Sequence, residues 1–198
     1  MNAFVSAILL AAGESKRMGK PKLLLPFGDS TIVEQAINSL LNSKINELII
    51  VVGYRAEELV GKIAKKPVKI VLNRQYQQGI STSIIAGLKT VDKDTRGIMI
   101  ALGDQPLVDS RTIDRLIEEF QKHDRGIIIP VCQGRRGHPV IFPIKYEEEL
   151  LQLEGDVGGK QIVKDHPDEV LEVAVNCEGI LIDIDTVGTY NCARSKLG

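Results

Sequence analysis

"AFVSAILLAAGESKRMGKPK", residues 3–22, opens as an apolar run and turns abruptly into small, polar and cationic residues. Residues 3–11 predict a strand buried on both faces, because the run is nearly continuous rather than alternating. The turn that follows, Ala11-Ala12-Gly13, is small enough for a flat or phosphorylated ligand to approach its backbone. Its amides and the Ser15 hydroxyl are suited to donate to phosphate oxygens, as a backbone nest does. Arg17 adds a planar fork matched to phosphate and Lys22 a point charge, with Pro21 fixing φ just before Lys22. A solvated surface loop carrying basic side chains is the other reading of the same residues.

Beyond this loop, apolar runs of strand length alternate with helical patterns. Residues 31–43 read as an amphipathic helix, with Thr31 and Glu34 spaced like a capping box. Strands are expected at 47–53, 68–73, 97–104 and 126–131, and helices at 56–64, 81–91 and 110–123. Continuous Ile/Val/Leu runs joined by helices predict a parallel sheet covered on both sides, with right-handed crossovers. From about residue 132 the segments shorten, which predicts antiparallel strands and one or two helices added to the same sheet. The expected fold is α/β: one domain over residues 1–198, a three-layer sandwich with a mostly parallel, Rossmann-like nucleotide-binding sheet. The N-terminal half is assigned to the nucleotide and residues 132–198 to a second substrate. Ligands of such sheets collect beyond the carboxyl ends of the strands. That rule selects four turns: 11–22, 53–54, 73–83 and 103–107.

Composition narrows the function classes. The formal net charge is −1, with acidic and basic residues interspersed, which offers no general attraction to nucleic acid or to a membrane surface. No apolar stretch approaches the roughly 20 residues needed to span a bilayer. The N-terminal run lacks a basic leader, so a cytoplasmic location is expected. Cys132, Cys177 and Cys192 are odd in number and widely spaced, which points to reduced thiols rather than a disulfide framework or zinc site. Two common phosphate loops are also excluded. Five residues separate Gly13 from Gly19, and Lys20 is followed by Pro21, so there is no Walker A loop. Ser15 stands where a G-x-G-x-x-G fingerprint needs glycine.

The stretch "LAAGESKRMGKPKLLLPFGDSTIVEQ" (residues 10–35) resembles the signature loop of nucleotidyltransferases that join a nucleoside triphosphate to a phosphate monoester. The resemblance is nearest to the molybdenum cofactor cytidylyltransferase group of the MobA-like NTP transferases, related to molybdopterin guanylyltransferase. It spans nearly the whole chain, since "QQGISTSIIAGL", "GDQPL", "GRRGHPVIF", "GDVGG" and "DIDT" follow in order. It implies a fold of the nucleotide-diphospho-sugar transferase type and a Mg²⁺ cofactor.

Within these motifs, Asp104 lies just past a buried strand, with Pro106 preventing continued pairing. The resemblance implies that it binds metal, a role an oxygen ligand suits; capping a turn is the alternative. Asp183 and Asp185 alternate on an extended segment and so share a side. The resemblance implies that one completes the metal or substrate site, and Asp185 is preferred. The usual continuation D-T-P-E-D is lost here, where the chain reads "DTVGTY". Gly79, Ser81 and Ser83 are placed to meet the nucleobase or, alternatively, to cap a helix. Arg135, Arg136 and His138 are assigned to the second substrate, against an exposed turn, and Asp156 to shaping that side. His123 and His166 are expected to be bystanders.

The implied reaction is in-line attack by a substrate phosphate on the α-phosphorus of CTP, releasing pyrophosphate. Such an acceptor is already anionic, so positioning and charge neutralisation by Arg17 and Lys22 are the task, without a strong base. "LAAG" resembles cytidylyl enzymes, whereas guanylyl enzymes more often carry "LAGG". The implied partners are CTP, a pterin phosphate bearing molybdenum, and a recipient molybdoenzyme. The alternatives are a guanylyltransferase, a sugar- or alcohol-phosphate nucleotidyltransferase, and a non-catalytic carrier of the molybdenum cofactor.

Overall fold

The computed structural model describes residues 3–123 and 126–197. The opening run forms strand β1 (Val5–Ala11). After a short hairpin of β2 (Pro26–Phe27) and β3 (Ser30–Thr31) comes helix α1 (Ile32–Leu41). Its capping box is present: Thr31 Oγ1 accepts from Glu34 N–H, and Glu34 Oε2 accepts from Thr31 N–H. The chain continues through β4 (Glu47–Val52), α2 (Ala56–Ile63), β5 (Lys69–Leu72), α3 (Ile80–Leu88) and β6 (Gly97–Leu102). Then follow α4 (Ser110–Lys122), β7 (Ile127–Cys132), β8 (Arg135–Arg136), β9 (Val140–Pro143), α5 (Glu147–Leu151), α6 (Lys160–Asp165), β10 (Val170–Ala174) and α7 (Val187–Ser195).

The main sheet runs β10-β7-β9-β6-β1-β4-β5, with β8 paired to β7. β1 is central and parallel to β4 and β6, aligning Ile8 with Ile49 and Ile100. Its side chains divide between two buried layers. Val5, Ala7, Leu9 and Ala11 pack on one face with residues of α1, α2 and α4, and Ile8 packs on the other with residues of α3, α5 and α6. Two-sided burial is why the strand reads as a continuous apolar run rather than an alternating one. The fold is therefore the expected three-layer, mostly parallel α/β sandwich.

The second half differs in two places. β9 is antiparallel to both β6 and β7, as expected, but β10 runs parallel to β7. The chain between β7 and β10 carries two helices, which gives it the length to return in the same direction. Residues 179–186 are not a strand: a 3₁₀ turn covers Glu178–Leu181, and no ladder follows. Instead Ile184 N–H donates to the carbonyl of Asp104 at 3.0 Å, which ties this segment to the loop after β6. No helix among the described residues is long and apolar enough to cross a membrane.

Candidate active site

The carboxyl ends of β1 and β6 open on a cavity of about 340 Å³ whose wall includes Ala11, Ala12, Gly13, Arg17, Lys22 and Asp104. Ala12 is pressed against the turn after β4: Tyr54 N–H donates to its carbonyl at 3.1 Å, and a Cβ on Gly53 would fall 2.8 Å from the Ala12 Cβ. Nothing lies within 4 Å of where a Cβ on Gly13 would sit, so the turn presents bare backbone.

Lys22 is the hub of the site. Its side chain is only 12% exposed, and Nζ donates to Asp104 Oδ2 at 2.6 Å and to Asp185 Oδ1 at 2.7 Å. Arg17 reaches the other oxygen of Asp185 at 2.7 Å. Burial opposes the Lys22 ammonium, but the hydrogen bonds and charges of the two aspartates outweigh it and hold its pKa above the usual lysine value. Burial pushes the Asp104 carboxyl upward against the pull of Lys22, with Asp183 and Asp185 adding to the rise. Asp185 resists its own partial burial through Lys22 and Arg17, and its pKa is held down.

Two carboxylates thus converge on one cation, and the stand-in is an ammonium. That donor set is all oxygen, which fits a hard divalent ion such as Mg²⁺ taking one or two carboxylates and its remaining ligands from phosphates and water. Among the described residues no cluster of three or more His, Cys, Asp or Glu is placed to hold a metal unaided.

The other sequence candidates divide. Ser83 and Asp156 line this cavity. Asp156, expected on the second-substrate side, instead accepts from Ile80 N–H at 3.1 Å and caps α3, whose N-cap position is Gly79. Gly79 adopts φ +115, and a Cβ there would meet the Gly155 backbone at 2.3 Å. Ser81 is buried, and its N–H donates to the Gly155 carbonyl at 3.1 Å. Gly79 and Ser81 therefore dock the 155–159 loop on α3, and neither lines the cavity wall. Ser83 Oγ accepts from Asn73 Nδ2 at 2.9 Å. Ser15 Oγ accepts from Lys22 N–H at 3.2 Å, so it shapes the loop from behind.

Arg135, Arg136 and His138 line a separate cavity of about 570 Å³. Its floor is apolar, including Ile129, Val140 and Phe142, and its rim adds Lys160 and Lys164. Arg136 pairs with Glu172 at 2.7 Å. Burial holds the His138 imidazole below its usual value of 6.5 against the pull of Asp183, which leaves it neutral near pH 7. Sequence reasoning passed over Lys164, whose signal was its position one turn after Lys160. It also passed over Gln105, which sits beside Asp104 in "GDQPL" and donates to Asp183 Oδ1 at 2.8 Å.

Known proteins share this sequence pattern and fold. The model of the MobA-like NTP transferase domain matches residues 7–170. The chain belongs to the MobA-like NTP transferase family. By family and fold it is a nucleotidyltransferase, as the ordered motifs implied. It is 30% identical over 195 residues to the molybdenum cofactor cytidylyltransferase of Escherichia coli, covering 97% of this chain and 96% of that protein. It is also 31% identical over 193 residues to nicotine blue oxidoreductase of Paenarthrobacter nicotinovorans, covering 92% and 93%. Among solved structures, Rv0371c of Mycobacterium tuberculosis matches with a TM-score of 0.88 at 29% identity, covering 98% of this chain and all of that one. The same Mycobacterium tuberculosis protein has been solved in complex with manganese, at 26% identity and a TM-score of 0.84.

Proposed function

We propose that this MobA-like NTP transferase transfers CMP from CTP to the phosphate of a molybdenum-bearing pterin and releases pyrophosphate. The observation that carries the reading is the Lys22–Asp104–Asp185 cluster, with Arg17 on its rim, beside a second cavity edged by Arg135, Arg136, Lys160 and Lys164. One cavity suits a triphosphate and the other an acceptor with an apolar body and an anionic group. The likeness to the Escherichia coli enzyme supports the choice of base and acceptor.

Arg17 and Lys22 bind the triphosphate and stabilise charge on the departing pyrophosphate. The bare backbone at Ala12 and Gly13 lets the phosphates approach closely enough for the amides to orient them. Arg135, Arg136 and His138 hold the acceptor, whose attack needs alignment rather than a strong base. Asp104 and Asp185 would hold the divalent ion, Mg²⁺ in this reading, which when bound screens and polarises the phosphates. Lys22 and Arg17 then exchange a carboxylate for a phosphate partner. The residues after 132 serve both cavities, since Asp156, Asp183 and Asp185 line the nucleotide side.

The test is pyrophosphate release with each of the four nucleoside triphosphates, Mg²⁺ and a molybdopterin acceptor, beside Lys22→Ala. Release that requires CTP and acceptor, and falls by orders of magnitude in the variant, is the expected result. Release with GTP instead reassigns the base. No release despite tight pterin binding makes the protein a cofactor carrier that delivers to a molybdoenzyme. An oxidoreductase is the second reading, favoured by the Paenarthrobacter relative's name, and a redox change in nicotine blue without pyrophosphate release would establish it.

A further inference from the structure

Asp183 is the one described residue that lines both cavities. Its position is fixed from below. Gln105 is only 4% exposed, and its Nε2 donates both to Asp183 Oδ1 at 2.8 Å and to the Ile180 carbonyl at 3.2 Å. The neighbouring residue completes the hold, because the Asp104 carbonyl accepts from Ile184 N–H at 3.0 Å. Residues 104–105 thus grip 180–185 at three points while the Asp104 side chain engages Lys22. Asp183 Oδ2 has no protein partner among the described residues, in contrast to Asp185, whose two oxygens are both taken.

A bare carboxylate between two anion sites weakens the binding of anions. Two unit charges about 4 Å apart repel even in water by enough to weaken binding about fivefold. Its use is directional. An incoming phosphate is driven from every pose that turns a second anionic oxygen toward Asp183, and retained where one oxygen points across the seam.

We propose that Asp183, held by the positioning residue Gln105, aligns the acceptor phosphate for attack at the seam between the cavities, a role that rests on the nucleotidyl-transfer reading above. In the step it serves, an acceptor oxygen forms a bond to the α-phosphorus. The bond from that phosphorus to the β-bridging oxygen breaks, and pyrophosphate leaves with the electron pair.

The test uses the whole chain, with inorganic phosphate titrated in EDTA as the binding probe and pyrophosphate release with CTP, Mg²⁺ and a molybdopterin acceptor as the turnover probe. Asp183→Asn keeps the oxygen that Gln105 grips but removes the charge. Phosphate should bind about three- to fivefold tighter while kcat falls about tenfold or more, and the CTP KM should not rise. Gln105→Leu leaves the charge but frees it, so kcat should fall while phosphate affinity stays within twofold. Asp94→Asn, at the opposite end of the strands, should change neither. Opposite movement of affinity and turnover in Asp183→Asn is what a merely structural residue would not give. Unchanged kcat in Asp183→Asn, or affinity and kcat falling together with thermal stability, overturns the seam role alone. A wild type that releases no pyrophosphate with any nucleoside triphosphate overturns both readings.

Discussion

Replacing Lys22 by methionine keeps much of the side-chain volume and removes the ammonium that Asp104 and Asp185 share at 2.6 and 2.7 Å. Arg17 still partners Asp185, but Asp104 loses its cation. Breaking a buried pair by removing one partner costs about 3–5 kcal/mol. Here the carboxylates are 20% and 25% exposed, so water reaches both and lowers the cost to just below that range, about 2–3 kcal/mol. For a chain of this size that corresponds to a Tm lower by roughly 5–10 °C in metal-free buffer. The loss should be reversible by cation. At about 100 times its dissociation constant, a divalent ion binding only the folded state restores about 2.7 kcal/mol. Differential scanning calorimetry of wild type and Lys22→Met, each with EDTA and with Mn²⁺, should show a larger Mn²⁺-induced rise in the variant. Acidification should also narrow the gap, because protonating Asp104 removes the unpaired charge. Equal Tm values in EDTA, or equal metal-induced shifts, would refute the claim that Lys22 stands in for a cation at this pair. Turnover should be lost in either case, since Lys22 also serves the triphosphate in the proposed mechanism.

Three further outcomes follow from the same geometry. The His138 pKa is held below 6.5 by burial, so the unfolded chain takes up the proton first. Stability from this group is complete above about pH 6.5 and is lost as pH falls from there through the folded value; urea melts at pH 7.5 and 5.5 should show a smaller drop in His138→Gln. Asp156→Ala should cost about 1 kcal/mol by uncapping α3, whereas Asp156→Asn, which retains an acceptor for Ile80 N–H, should cost less. If both variants melt with the wild type, the cap contributes nothing. Gly79→Ala places a Cβ 2.3 Å from the Gly155 backbone at φ +115, so it should lose more than about 2 kcal/mol and raise the CTP KM as the 155–159 loop lifts.

The sheet was legible because its signals are local. Two-sided burial produces the continuous runs at β1, β4 and β6, and the Thr31–Glu34 box marks the start of α1 in sequence alone. The direction of β10 was not legible, since its pattern is compatible with pairing in either sense and the crossover through α5 and α6 decides it. Arg17, Lys22 and Asp104 were legible from turns that follow strands, whereas Asp185, on a segment that forms no strand, was legible only through the resemblance. What escaped is long-range hydrogen bonding. Gln105 to Asp183 spans 78 positions and Ile80 to Asp156 spans 76, and neither leaves a mark on periodicity. Asp156, expected on the second-substrate side, lies on the wall of the other cavity, and Gly79 and Ser81 serve the contact between α3 and the 155–159 loop.

In the proposed reaction, the charges of the two cavities give each a distinct task. On the nucleotide side, Asp104, Asp156, Asp183 and Asp185 face only Arg17 and Lys22. A triphosphate entering alone meets more negative than positive charge, so it is admitted only with cations of its own. On the side proposed for the acceptor, Arg135, Arg136, Lys160 and Lys164 outnumber Asp183 and the Glu172 that pairs with Arg136, which favours an anion. In the proposed reaction the asymmetry would keep the two polyanions apart until a cation joins the nucleotide: the acceptor is held by fixed side chains, while the triphosphate brings part of its own binding site. Lys22 is then the point of exchange. Its two carboxylates release it most readily when another cation takes its place, which in the proposed reaction couples filling of the nucleotide cavity to freeing the ammonium that the phosphates require.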